Sequence, residues 1–439
     1  MRSVVSVFSG CGGLDFGFKR AGFDLIYACD SDPAAVDCYS RNVDSAVCVR
    51  DVRSPAFHAD IAAVGQCDVV LGGFPCQGFS KAGPKRQDDP RNELYSEMRR
   101  VVARLHPWVF LAENVDGLSQ NYRGSYLKRI VADFSALGYD VEHLLLDAVA
   151  YGVPQHRRRI IFVGTRRGRP GFRWPEPSHD FRSRNGEGRL SSSRSLFDAP
   201  AAVLRPPRTI REAIADLPDC EPGVPDHAIV GGWPKRYEHL FRRVGEGQKL
   251  CNVRHAPSSV YTWQVPEVFG DVTPREVAVL ETISRHRRHK RYGDIPNGNP
   301  LEVGEVERLS GLTELTPVVR ELLRKGYLKR VGDRYDLKGG MFCSGLFKRP
   351  RWDQPAPTVL TNFHNPRYFL HPRLDRPFTL RECARLQSFP DDFQFTSGAV
   401  ALLDGYRLVG NAVPPRLAEA FGLAVSRYLD AAVPEAVAS

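Results

Sequence analysis

The sequence predicts an α/β fold: an open sheet with helices on both faces, followed by a smaller second domain. Three observations predict it. Short apolar runs rich in β-branched residues alternate with helical stretches over the first 168 residues. Turns carrying glycine, an acid or a cysteine follow directly on several of those runs, and ligands of open α/β sheets bind at the ends of parallel strands. From about Arg166 to Gly340 the composition shifts to arginine, proline, glycine and serine.

The chain has 439 residues, 42% of them hydrophobic, which is enough for a large domain plus a smaller one and argues against global disorder. No apolar run reaches membrane-spanning length, so no membrane partner is expected. The N-terminus turns into a strand too soon for a signal peptide. Ten cysteines are scattered without CxxC pairs or histidines at zinc spacing. Neither a disulfide framework nor a metal site is indicated, and the expected compartment is a reducing cytoplasm. The net charge is +10, with arginine crowded between Arg157 and Arg211 and again over Arg285 to Arg291. Such density suits phosphate contacts and nucleic acid, although a solvated basic face would look the same.

In order, Ser3 to Phe8 reads as a strand, Ser9 to Asp15 as a glycine turn and Phe16 to Ala21 as a helix. Glycines admit close backbone approach, and the helix N-terminus offers free N–H groups. The spacing is neither a dinucleotide fingerprint nor a phosphate loop, so a cofactor with a nucleoside but no pyrophosphate suits it. Strand Leu25 to Ala28 ends in Cys29 and Asp30, and an acid there can hold ribose hydroxyls. Pro33 to Asn42 reads as a helix. Arg50-Asp51-Val52 ends a short strand and could reach an adenine edge, or Asp51 could be a simple turn residue.

Val69 to Leu71 reads as a buried strand that ends in Gly72-Gly73-Phe74-Pro75-Cys76. A cysteine on that turn can serve as a nucleophile where its thiolate is favoured, or as a small buried hydrophobe. The polar stretch Lys81 to Arg91 suggests a closing lid. Helix Asn92 to Leu105 and strand Trp108 to Ala112 follow, delivering Glu113-Asn114-Val115. Glu113 would be partly desolvated and suited to sharing a proton, or would be a cap or ion-pair partner. Helix Tyr126 to Leu137 and strand Val141 to Leu146 lead to Gln155-His156-Arg157-Arg158-Arg159 and strand Ile160 to Gly164. Alternation places Gln155, Arg157 and Arg159 on one side. Two guanidiniums facing Cys76 would stabilise a thiolate; a basic edge strand would read alike.

These residues resemble the DNA (cytosine-5) methyltransferase family. Six blocks carry the resemblance in the family's order: Phe8 to Gly13; Phe74 to Gln77; Glu113 to Val115; Gln155 to Arg159; Arg381 to Pro390; and Gly410 to Pro415. They span the first 168 residues and about the last ninety. The resemblance implies a Rossmann-like S-adenosylmethionine-dependent methyltransferase sheet, with Cys76 as nucleophile and Glu113 as partner of the cytosine ring. It implies that Arg157 and Arg159 position the base and the thiolate. Cofactor contacts are implied at Phe8, Gly10, Gly12, Gly13, Leu14, Asp30, Asp51, Val52, Pro75, Asn411, Ala412 and Val413. Contacts to double-stranded DNA are implied at Gln77, Ser80, Arg91 and Gln155. Family members often carry a bulky residue after the ribose-binding acid, and Ser31 departs from that. A duplex cytosine cannot meet a buried cysteine, so the base must flip out.

The implied domains are a catalytic first part over 1–168, a target-recognition domain over 169–345 and a return over 346–439. In the last segment the helix Thr379 to Leu386 would bridge the two domains. The final helix, Pro415 to Leu429, would pack beside the first glycine turn. Within the middle, Ser191 to Ser195 is low-complexity. Residues 273–338 read as three helices (Glu276 to His286, Val303 to Leu309, Thr316 to Lys325) and a hairpin around Gly332-Asp333. That pattern is a winged helix-turn-helix or a stiffening insert. The expected activity is sequence-specific DNA methylation by a monomer, in a restriction-modification or defence system with a cognate endonuclease. Cytosine methylation in RNA is the alternative in the same chemistry, and a DNA-binding regulator is the alternative from another class.

Overall fold

The computed structural model of the protein describes residues 2–75, 94–120, 125–180, 204–220, 223–251, 256–295, 298–338 and 345–432. The polar stretch Lys81 to Arg91, expected as a lid, and the run Ser191 to Ser195 lie outside the described residues. The chain divides into two units. The first comprises Met1–Ala228, Asp353–Thr361 and Thr379–Ser439, and the second Ile229–Trp352 and Asn362–Phe378.

The first unit opens with β1 (Arg2–Val7), α1 (Gly13–Arg20), β2 (Phe23–Asp30), α2 (Pro33–Asn42), β3 (Val47–Val49), α3 (Pro55–Val64) and β4 (Val69–Gly72). It continues with α4 (Tyr95–Leu105), β5 (Val109–Val115), α5 (Gly117–Gln120), α6 (Ser125–Ser135), β6 (Tyr139–Asp147), β7 (Arg158–Arg166) and α7 (Ile210–Ile214). The strands form one seven-stranded sheet in the order β3-β2-β1-β4-β5-β7-β6. The first five strands are parallel. β7 runs antiparallel to both of its neighbours. Its direction follows from chain length: the link from Asp147 to Arg158 is too short for the crossover that parallel pairing needs.

Val5, Val7, Val70 and Phe110 pack on one face of the sheet with residues of α3, α4 and α6. Val4, Leu71 and Leu111, their neighbours on the other face, are equally inaccessible. Burial on both faces is why these strands read as continuous apolar runs. Helix α3 follows from local chemistry that apolar periodicity does not single out: the Ser54 hydroxyl accepts from the Phe57 N–H, and Pro55 occupies the first turn.

The second unit holds α8 (Arg236–Arg243), β8 (Lys249–Leu250), β9 (Ser259–Val260), α9 (Pro266–Phe269), α10 (Pro274–His286), α11 (Val303–Ser310), α12 (Thr316–Lys325), β10 (Leu328–Val331) and β11 (Arg334–Leu337). One of its apolar clusters gathers Phe241, Leu250, Phe347 and Leu370. Beside it the buried Arg349 donates to the carbonyls of Phe241, Val244, His371 and Leu374 at 2.7–2.8 Å. A second cluster gathers α10, α11, α12 and the β10–β11 hairpin.

The chain then returns to the first unit with α13 (Leu380–Leu386), α14 (Leu402–Asn411) and α15 (Pro415–Ala432). Helix α15 lies directly against α1. A Cβ on Gly17 would fall 2.4 Å from Ala418 Cβ and 2.6 Å from the Glu419 nitrogen, so only glycine allows this approach. Trp174 meets Phe421 of α15 edge-on at 5.8 Å.

Gly17→Val should therefore force the two helices apart and destabilise the first unit by about 1–3 kcal/mol. Denaturant unfolding followed by tryptophan fluorescence measures this, and a midpoint equal to that of the parent would contradict the packing described.

Candidate active site

The candidate site lies at the carboxyl ends of the parallel strands, where β1 and β4 separate in connectivity and ligand crevices form. After β1 the backbone takes left-handed conformations at Phe8 (φ 57°), Gly10 (φ 55°) and Gly12 (φ 88°). Asp30, at the end of β2, organises this turn. Its carboxylate accepts from the Gly10 N–H and the Asp32 N–H, each at 2.9 Å. Burial pushes the Asp30 carboxyl up, and those N–H groups pull it back. The Arg50 N–H donates to the Asp30 carbonyl at 2.9 Å, which brings the turn after β3 alongside. There Asp51 is exposed and paired with Arg53 at 2.7 Å, while Val52 is buried.

The segment Asn411 to Val413 closes on the first turn from the far end of the chain. A Cβ on Gly13 would sit 2.3 Å from the Val413 carbonyl oxygen and 3.4 Å from Ala412 Cβ. Leu14 is buried at the start of α1, and Asp15 beside it is wholly buried, accepting from the Ser6 hydroxyl at 2.8 Å. Burial raises the Asp15 carboxyl from 3.8 to about 6, with the Ser6 hydroxyl opposing the shift.

Glu113 does not follow its strand but belongs to it. β5 continues to Val115 because β7 pairs with it as far as Arg159. Glu113 faces Ile161 and Val115 faces Arg159, so Glu113 and Arg159 are diagonal neighbours on one face. Arg159 Nε lies 2.5 Å from Glu113 Oε1, and each side chain is only 12% exposed. A Cβ on Gly73 would lie 3.6 Å from Glu113 Oε2 and 3.9 Å from the Phe8 carbonyl oxygen, so the ends of β1, β4 and β5 converge here. Asn114, on the opposite face, donates to the Phe74 carbonyl at 3.0 Å and so anchors the chain just ahead of the half-buried Pro75. Cys76, Gln77, Ser80 and Arg91 lie outside the described residues.

Alternation over 155–159 holds, and two of the three inward residues bond to distant parts of the chain. Gln155, expected at a DNA face, is completely buried. It donates to the Leu386 carbonyl and to Gln387 Oε1 and accepts from the Val359 N–H, at 2.7–2.9 Å. Its amide is therefore engaged inside the first unit. Arg157, expected beside the thiolate, is also inaccessible; it donates to the carbonyls of Val359 at 3.0 Å and Gly410 at 2.8 Å. Burial above all, with Arg159 near, pushes its guanidinium well down. Of the two arginines, Arg159 forms the ion pair with Glu113, while Arg157 ties the start of β7 to the Val359 and Gly410 carbonyls.

Sequence reasoning also passed over Gln387, whose amide donates to the Val409 carbonyl at 2.7 Å, and Arg381, which bonds the carbonyls of Pro225, Pro390 and Phe393 at 3.0 Å. Both sit in the block Arg381 to Pro390, which was the only available signal for them.

The residues present fit a nucleoside-bearing methyl donor. Gly10 faces open space, with no heavy atom within 4 Å of a Cβ placed there. The Asp30 carboxylate keeps acceptor capacity beyond its two backbone bonds, which suits ribose hydroxyls.

A mixed α/β sheet of this kind, with a glycine turn, Asp30 and the Glu113–Arg159 pair at its strand ends, has the fold of the S-adenosylmethionine-dependent methyltransferases. The family model for C-5 cytosine-specific DNA methylase matches residues 2–427, and the chain belongs to that family. It is a DNA (cytosine-5) methyltransferase whose methyl donor is S-adenosylmethionine. It is 34% identical over 430 residues to the type II methyltransferase M.AgeI of Thalassovita gelatinovora, covering 95% of this chain and 97% of that one. It is 30% identical over 438 residues to M.DdeI of Desulfomicrobium norvegicum, covering 98% and 89%. Among solved structures, a prophage-encoded DNA modification methyltransferase of E. coli shares the fold at TM-score 0.55 and 23% identity, covering 98% of this chain and all of that one. Among the described residues no helix is long and apolar enough to cross a membrane.

Asp15 supplies a pH test. Its folded-state proton affinity exceeds the unfolded one, so its contribution to stability is full below about pH 4 and is lost as pH rises through about 6. The stability of Asp15→Asn relative to the parent should therefore rise by about 3 kcal/mol between pH 4 and pH 8. Paired urea melts across that range check the sign, and a flat difference would refute the shift.

Proposed function

We propose that the chain methylates carbon 5 of a cytosine within a specific DNA sequence, on a base swung out of the duplex, with Cys76 as the covalent nucleophile. The observation that carries this reading is the convergence at Gly73. The Glu113 carboxylate, held by Arg159, lies 3.6 Å from a Cβ placed there, three residues before Cys76 in the chain.

Carbon 5 of cytosine is too electron-poor to attack a methyl sulfonium unaided. The Cys76 thiolate forms a bond to carbon 6, and the ring electrons shift so that carbon 5 becomes nucleophilic. Glu113 hydrogen-bonds ring nitrogen 3 and shares a proton with it as charge develops there. Arg159 fixes the carboxylate, and its positive charge favours the thiolate. S-adenosylmethionine, when bound between the first glycine turn, Asp30 and Asn411 to Val413, supplies the methyl group as an electrophilic sulfonium. Water takes the carbon 5 proton, the C–H electrons re-form the ring double bond, and the Cys76 sulfur leaves carbon 6 as thiolate. Gln77, Ser80 and Arg91 contact the DNA around the vacated position. The type II names of the relatives support a restriction-modification setting, in which methylation protects a sequence from a cognate endonuclease. We read the chain as a monomer on its site.

Duplex DNA carrying 5-fluorocytosine, incubated with protein and S-adenosylmethionine, should form a complex that survives denaturing electrophoresis. Cys76→Ser should abolish both that complex and methyl transfer. Glu113→Gln should lower kcat by about 100- to 10,000-fold. Failure to trap in a sequence context where ordinary cytosine is methylated would refute the covalent route. Methylation of transfer RNA but not of duplex DNA would move the substrate to RNA.

A further inference from the structure

The cradle assigned above to the methyl donor is made by two stretches from opposite ends of the chain, the turn organised by Asp30 and the segment Asn411 to Val413. The side chain of Arg407 joins them. Arg407 stands one turn before Asn411 on α14, on the same face of the helix. Its Nη1 donates to Asp32 Oδ2. Its Nε and Nη2 donate to Asp404 Oδ1, within the same helix, at 3.3 and 3.0 Å. Asp32 carries the connection onward. Its N–H donates to Asp30 Oδ1 at 2.9 Å, and its Oδ1 accepts from the Ala34 N–H at 3.1 Å, capping α2. Asp30 Oδ2 in turn accepts from the Gly10 N–H at 2.9 Å. Gly10, Asp30, Asp32 and Arg407 thus form one hydrogen-bonded line from the glycine turn to α14.

This line is not what fastens α2 to the C-terminal part of the chain. The far end of α2 has its own attachment. The Asn42 side chain exchanges two bonds with the backbone of Gln394, each at 2.8 Å, and Arg41 donates to the carbonyls of Gln394 and Thr396 at 3.3 Å. The side chains of Arg407 and Asp32 are 39% and 27% exposed, and ion pairs so open to water contribute little to stability. What the pair does set is direction. It draws Asp32, and with it the N–H that orients Asp30, toward the helix that carries Asn411.

We propose that Arg407 is a positioning residue for S-adenosylmethionine: acting through Asp32, it holds the Asp30 carboxylate at the ribose hydroxyls in register with Asn411 to Val413. This role rests on the cradle described above and adds the side chain that ties its two halves together. Through-space electrostatics predicts the opposite sign. S-adenosylmethionine has a net positive charge at neutral pH, from a sulfonium and an ammonium against one carboxylate, so deleting a nearby cation would tighten its binding.

Calorimetric titration of the full chain tests this, with S-adenosylmethionine and with S-adenosylhomocysteine, which has no net charge. Arg407→Met should raise the Kd for both ligands about tenfold, and Arg407→Lys should recover most of that loss. Asp32→Ser breaks the same pair while keeping a helix cap, so it carries the test even if Arg407→Met does not fold. It should match Arg407→Met, and the double variant should bind no worse than either alone, because both changes cut one line. Arg41→Met removes the same charge at the far end of α2 and should stay within about twofold of the parent. Parental or tighter binding in Arg407→Met, or additive losses in the double variant, would overturn the role. Asp30→Ala separates it from the cradle itself and should lose at least about tenfold in affinity. That loss beside a parental Arg407→Met refutes the positioning role alone, whereas parental affinity in Asp30→Ala refutes the cradle and the role together.

Discussion

A guanidinium with no access to water holds the first unit together. Arg157 reaches from the start of β7 to the carbonyls of Val359 and Gly410, which lie about two hundred and two hundred and fifty residues downstream. Burying such a charge is costly, and removing its partners would cost several kcal/mol more, so the three segments are bound to one arrangement. Gln155 and Gln387 repeat the device with neutral amides, linking the same region to α13 and to the Val409 carbonyl of α14. This junction, together with the seating of α15 on α1, positions Asn411 to Val413 beside the first glycine turn. Gly410 is glycine because a Cβ there would lie 2.4 Å from the Thr361 nitrogen.

The working pair is built on a simpler principle. Antiparallel strands place diagonal residues on one face, and β5 and β7 use that geometry to set Arg159 against Glu113. The two ions share a site with little water, so each is held in place by the other rather than by solvent. The carboxylate keeps its second oxygen toward Gly73, where the strand end has no side chain to fill the space. Rigid sheet, not loop, therefore carries both Glu113 and Arg159.

The strands were legible because burial on both faces writes itself as runs such as Val69 to Leu71, and helices such as Pro33 to Asn42 and Thr316 to Lys325 because caps and periodicity agree. Helix α3 was not, since its signal is a cap and a proline rather than an apolar stripe. The extension of β5 through Glu113 depends on pairing with β7, which no local window contains. The inward side of Gln155 and Arg157 was readable from alternation, but what they meet was not: their partners are distant carbonyls, and a carbonyl leaves no mark in a sequence. The composition changes near Arg166, yet residues up to Ala228 group with the first unit. Their hydrogen bonds, such as the Ile210 N–H to the Gln354 carbonyl, reach segments far along the chain.

The close seating of α15 on α1 has a consequence for biogenesis. The face of α1 that includes Gly17 is built to meet a helix translated some four hundred residues later. During synthesis that surface, and the underside of the first glycine turn, must wait uncovered while the whole second unit emerges from the ribosome. Nascent chains should therefore be prone to chaperone capture until the first unit can close. Completion of the first unit waits for α15 to be made.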